Sequence, residues 1–109
     1  MAARQKVLIY ETMEGNILPS DDQDKLLSPL DFVETKPGET KSIKLLLRNV
    51  LPWMIELNPY SFDERLKITP NKNQVDAGKE AIVEFNFTQP ADSLEPLDNA
   101  KWGFKIRVG

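Results

Sequence analysis

The sequence predicts an all-β protein, an antiparallel β-sandwich of about seven strands with an N-terminal extension. Three observations predict it. Apolar residues recur at every second position in several segments, the period of a strand with one wet face. Gly, Pro, Asn and Asp cluster between those segments and mark turns. The length, 109 residues, suits one domain that buries about two thirds of its unfolded surface.

Lys6–Glu11, KVLIYE, is rich in β-branched and aromatic residues and reads as a first strand. Gly15, Asn16 and Pro19 break the pattern. Ser20 followed by Gln23 has capping-box spacing, and Asp21 and Asp22 lie where a first turn favours negative charge. One or two helical turns are expected there, ended by Pro29. Leu30–Glu34 is a short strand, and Pro37-Gly38 fits the centre of a type II turn. In Lys41–Asn49, Ile43, Leu45 and Leu47 share one face, with Ser42, Lys44, Leu46 and Arg48 on the other. The chain turns at Asn49–Pro52. Pro52 cannot donate to a ladder and so opens the next strand, with Trp53, Ile55 and Leu57 inward. Asn58–Arg65 reads as a loop and Arg65–Pro70 as a short strand with Leu66 and Ile68 inward. Asn71–Glu80 is turn-rich, with Gly78 at positive φ. Val83, Phe85 and Phe87 alternate with Glu84, Asn86 and Thr88. After a polar connection holding Pro96, Trp102, Phe104, Ile106 and Val108 close the chain, facing inward. The predicted core is Ile43, Leu45, Leu47, Trp53, Ile55, Leu57, Leu66, Ile68, Val83, Phe85, Phe87, Trp102, Phe104 and Ile106. Its two tryptophans are the anchors.

Composition narrows the chemistry. Cysteine and histidine are both absent. That excludes disulfides, thiolate metal sites and any serine–histidine pair within this chain. The inventory predicts no catalysis, no cofactor and no bound metal. The net charge of −3 argues against a nucleic-acid partner, which calls for a basic domain. No apolar run reaches the ~18 residues of a membrane span. Val7–Tyr10 is too short for the core of a signal peptide, so a virion or cytoplasmic location is expected.

Residues 1–29 are expected to form a strand and an extended arm, and residues 30–109 the sandwich. Val7 and Ile9 lie on the strand that either edges its own sandwich or adds to a neighbour's sheet. Gly15–Pro29 reads as an arm that orders on a partner, since connections of that length are usually functional or disordered.

Several side chains are candidates for a site. Asp21, Asp22 and Asp24 offer oxygen ligands for calcium. The glycine and terminal glutamate of an EF-hand loop are missing, and a solvated, capped turn is the expected reading. Glu56, Asp63, Glu64 and Glu84 could serve as an acid/base pair only if folding joined two of them. Lys101, Lys105 and Arg107 form an outward stripe without interleaved aromatics, which fits cross-strand pairing better than nucleic acid. Asn86-Phe87-Thr88 is a glycosylation sequon placed in mid-strand. Leu46 and Met54 face outward. Joined to Tyr60 and Phe62, they would form a contact patch.

The segments LDFVETKPGETKSIKLLLRNV and LKITPNKNQVDAGKEAIVEFNFTQPAD resemble immunoglobulin-like domains of the major sperm protein and abnormal-spindle/hydin type. Similar modules occur in bacterial surface proteins and phage virions. The resemblance spans Leu30–Val108, and the N-terminal third is longer than such a domain needs. It implies an immunoglobulin-like sandwich acting as an interaction module, with no catalytic residue carried over. The expected function is therefore a structural protein-interaction module, foremost a small virion component such as a capsid decoration, cement or tail protein. Its partners would be capsid or tail subunits, or further copies of itself. An intracellular adaptor for a peptide motif is the alternative, which would use the Lys101/Lys105/Arg107 stripe. A carbohydrate-binding or adhesion module is the third, which would need Tyr10, Tyr60 and Phe62 as sugar platforms.

Overall fold

The computed structural model describes residues 7–21, 24–27, 30, 36–89 and 97–108. They form eight strands: β1 (Leu8–Thr12), β2 (Ile17–Leu18), β3 (Thr40–Asn49), β4 (Ile55–Ser61), β5 (Leu66–Pro70), β6 (Gln74–Val75), β7 (Glu80–Thr88) and β8 (Trp102–Val108). A five-stranded sheet has the order β2-β1-β3-β7-β5, and a three-stranded sheet the order β6-β4-β8. Every pairing is antiparallel. The protein is an all-β sandwich.

Alternation places the core between the sheets. Leu45, Leu47, Val83, Phe85 and Phe87 point inward from β3 and β7, and Ile55 and Leu57 from β4. Trp102 closes the core from β8. Its ring meets Phe85 edge-on at 5.1 Å and Phe104 at 6.3 Å, and its indole N–H donates to Asn99 Oδ1 at 3.0 Å. Burying each of these large side chains contributes roughly 1.5–3 kcal/mol. Ile43, Ile68, Phe104 and Ile106 are only partly buried, packed around the rim of the core.

The corner after β3 departs from expectation. Trp53 is not a core anchor; it is 48% exposed, and β4 begins at Ile55 instead of Pro52. Asn49 is the cause. It has no exposed surface, and its Nδ2 group donates to the carbonyls of Trp53 (2.8 Å), Val75 (3.1 Å) and Asp76 (3.3 Å). Its Oδ1 accepts from Leu51 N–H at 2.9 Å. One amide thus holds the corner and lashes it to β6. Leu51 takes the inward position, and Val75 joins the core from a segment that reads as turn.

β4 continues through Asn58-Pro59, where a loop is expected. Phe62 N–H donates to Lys101 C=O at 2.7 Å. That phase makes Tyr60, Asn58 and Glu56 the residues that bond β8. Pro59 therefore falls at a non-bonded pair opposite Phe104, where a missing N–H costs the ladder nothing.

The N-terminal segment is built into the sandwich. β1 pairs with the upper half of β3, Leu8 opposite Asn49 and Thr12 opposite Leu45. Leu8 and Tyr10 are fully buried. No helical turn forms among the described residues after Ser20. Ser20 instead bridges to Leu26, and Asp21 Oδ1 accepts from Lys25 N–H. Asp24, at φ 61°, accepts from Val7 N–H (3.0 Å) and Leu8 N–H (2.9 Å) through Oδ1, while its carbonyl accepts from Tyr10 Oη–H (2.7 Å). Asp tolerates this left-handed conformation better than most residues. Lys25 then reaches the other sheet, donating to Tyr60 Oη (3.0 Å) and to Trp102 C=O. Gly103 leaves the room: a Cβ there would lie 2.5 Å from Lys25 Nζ and 2.7 Å from Tyr60 Oη. The strand expected at Leu30–Glu34 lies outside the described residues beyond Leu30, which is buried.

Candidate interaction surfaces

The outer face of the five-stranded sheet carries an apolar patch. Register puts Ile17 beside Glu11, Glu11 beside Leu46, and Leu46 beside Ile82. Ile9, opposite Arg48, sits diagonal to Leu46 on the same face. Ile17 is 64% exposed, and Ile9, Leu46 and Ile82 are half-buried by their neighbours. Glu11 does not interrupt the patch, because its carboxylate lies 3.8 Å from Arg48 Nη2, which also pairs with Glu80 at 3.5 Å. Lys44 pairs with Glu84 at 3.9 Å on the next row. Beyond it the face is neutral and polar, with Ser42 bonded to Asn86 and the Thr40 and Thr88 hydroxyls 2.8 Å apart.

Leu46, expected to face outward, and Ile9, expected to meet a partner along its strand, thus belong to one patch. Ile82 and Ile17 complete it and were not singled out from the sequence. Ile82 was legible by parity, as the outward neighbour of Val83. Ile17 sits in a segment with no alternation to read. Val7 is buried in the core, and Met54 is half-buried at the β3–β4 corner, away from the register row.

Tyr60 and Phe62 form a second feature at the end of β4. Their rings lie 5.3 Å apart at 45°, a wedge and not the flat platform that a sugar ring stacks on. Phe62 is 76% exposed. Lys25 Nζ lies 5.1 Å from the Tyr60 ring centroid, which ties that ring to the N-terminal segment. Tyr10 is buried, so it cannot offer a platform.

Below Phe62, Asp63 receives the Arg65 guanidinium through two oxygens, at 2.9 and 2.7 Å. The guanidinium also covers the Phe87 ring at 4.9 Å. Hydrogen bonding to Arg65, opposed by burial, holds the Asp63 pKa below its ordinary 3.8. The folded state therefore favours the ionised form. The stabilisation is complete above the unfolded value and is lost as pH falls through the lower, folded one. We expect Asp63→Asn to cost about 1–3 kcal/mol at neutral pH. It should also flatten the acid limb of stability below about pH 4, as read by urea titrations at successive pH values.

The remaining candidates are separate from these surfaces and from each other. Lys105 pairs in register with Asn58 and Arg107 with Glu56, while Lys101 lies in the short 3-10 turn Asn99–Lys101 before β8. Asp21 and Asp24 bind backbone N–H groups, as described, and Asp22 lies outside the described residues. Among the described residues no three acidic side chains gather as metal ligands. Glu84 serves Lys44 and Asn86, and Asn86 of the sequon is bonded within the β7 face. No helix among the described residues is long and apolar enough to cross a membrane.

No protein-family model and no curated protein matches the sequence. Among solved structures, the chain is similar to a protein of unknown function from Porphyromonas gingivalis W83. The identity is 18%, with a TM-score of 0.47, and the match covers 81% of this chain and 33% of that one.

Proposed function

We propose that the protein is a non-catalytic interaction module that seats a protein partner on the outer face of its five-stranded sheet. One observation carries the reading: Ile9, Ile17, Leu46 and Ile82 adjoin on a sheet face that is otherwise polar. Contiguous apolar surface of this kind marks contact sites on soluble domains. The missing cysteine and histidine support a structural role, as does the resemblance of Leu30–Val108 to interaction domains. The setting we propose is a particle in which this small sandwich decorates or cements a shell or tail.

The test places a photo-crosslinking residue at position 82 and, as a control, at position 105 on the other sheet. Adducts with one defined partner at 82, a particle protein or a further copy of the chain, absent at 105 and abolished by Leu46→Glu, are the expected result. Adducts that form equally from both positions, or that survive Leu46→Glu, overturn it.

A further inference from the structure

We infer that the partner on this face is a second copy of the same chain, docked sheet-to-sheet about a two-fold axis. The inference rests on the proposed use of the five-stranded face and names its occupant.

Charge favours a copy. Among the described residues, Lys44, Arg48 and Lys67 point outward from this face, as do Glu11, Glu80 and Glu84, three of each sign. Arg48 and Lys44 already pair with their own acidic neighbours. The face is neutral and offers no field to steer a strongly charged partner. It also meets its own copy without net repulsion, as a self-complementary two-fold contact requires. The opposite face behaves differently. On the three-stranded sheet, among the described residues, Lys105 and Arg107 stand against Glu56 alone, so two copies meeting there would bring like charges together.

Size fits as well. β3 is 10 residues long, and five strands at ~4.8 Å spacing span ~19 Å. β7 has 9 residues, β1 and β5 have 5 each and β2 has 2, so face-to-face packing covers about 500 Å² per copy, ~1,000 Å² in all, the threshold of a specific interface. The apolar patch lies across β2, β1, β3 and β7 and forms the dry centre, with the Lys44–Glu84 and Arg48–Glu80 pairs at its border. A dimer of this size is reversible and dissociates on dilution.

Sedimentation velocity of the full chain across the micromolar range tests this. We expect a concentration-dependent monomer–dimer equilibrium. Ile82→Lys and Leu46→Lys should each weaken it by about tenfold or more, and Lys105→Glu should leave it unchanged. Circular dichroism checks that each variant keeps its fold. Because the chain has no cysteine, Leu46→Cys and Lys105→Cys add a readout that does not depend on weakening the fold. A short bismaleimide should link two copies through position 46 and not through 105. A chain that stays monomeric throughout overturns the inference, as does a dimer indifferent to both lysine variants or linked equally through 105. If the chain is monomeric while position 82 still captures a defined particle protein, the dimer is refuted and the interaction-module reading stands.

Discussion

A chain shortened to begin at Leu30 will not fold. The cut removes β1 and β2, and with them Val7, Leu8, Tyr10 and Leu26 from the core. At roughly 1.5–3 kcal/mol for each large apolar side chain, the loss approaches the ~5–15 kcal/mol by which whole domains are stable. The Lys25 link to Tyr60 and Trp102, which ties the removed segment to the other sheet, goes with it. The upper half of β3 would lose its ladder partner and leave backbone groups unpaired along a hydrophobic strand. Circular dichroism and amide proton dispersion read the outcome. A truncated chain that melts cooperatively near the temperature of the full one would show that β1 is dispensable.

Replacing Asn49 by Ala should be the most damaging single polar substitution. The side chain is small, so little hydrophobic stabilisation is at stake. What is lost is a donor shared by the Trp53, Val75 and Asp76 carbonyls and an acceptor for Leu51 N–H. Each buried group left unsatisfied costs about 1–3 kcal/mol. We expect a total of about 3–5 kcal/mol, a fall in Tm of roughly 15–30 °C for a domain of this size. Asn49→Asp is the sharper variant. It keeps the acceptor for Leu51 but aims a carboxylate oxygen at the carbonyls, so it should be no better than Ala. If urea midpoints of both variants lie close to the parent, the corner is held by something other than this amide.

The contrast between Leu47 and Trp53 shows what the sequence discloses about the fold. Strict alternation placed Leu45, Leu47, Ile55, Leu57, Val83 and Phe85 inside, because in a strand direction follows from parity alone. Trp53 follows the same parity but lies beyond the strand, in a corner shaped by Asn49. The partners of Asn49 at Val75 and Asp76 lie 26 and 27 residues away, a distance no local pattern encodes. Val75 was illegible for the complementary reason. A lone valine among polar turn residues has no period, and it becomes core only because β6 pairs with β4. The segment after Ser20 had the spacing of a helix start, yet the Ser20–Leu26 bridge and the Asp24 cap on β1 prevail. At the apolar patch, Leu46 could be named as an outward residue and Ile9 as a contact on its strand. Their adjacency, and the part played by Ile82 and Ile17, needed the register.

The link from Lys25 to Trp102 joins positions 77 residues apart, and this sets a schedule for the ribosome. β4 has no long neighbour in its own sheet until β8 has been synthesised. Until then Ile55 and Leu57 lack the strand that completes their layer. Sandwiches dominated by such distant pairings fold on millisecond-to-second timescales. The three-stranded layer therefore cannot close over the β1–β3–β7 half until β8 has emerged. Overproduction and slow release are the conditions under which exposed edges find one another.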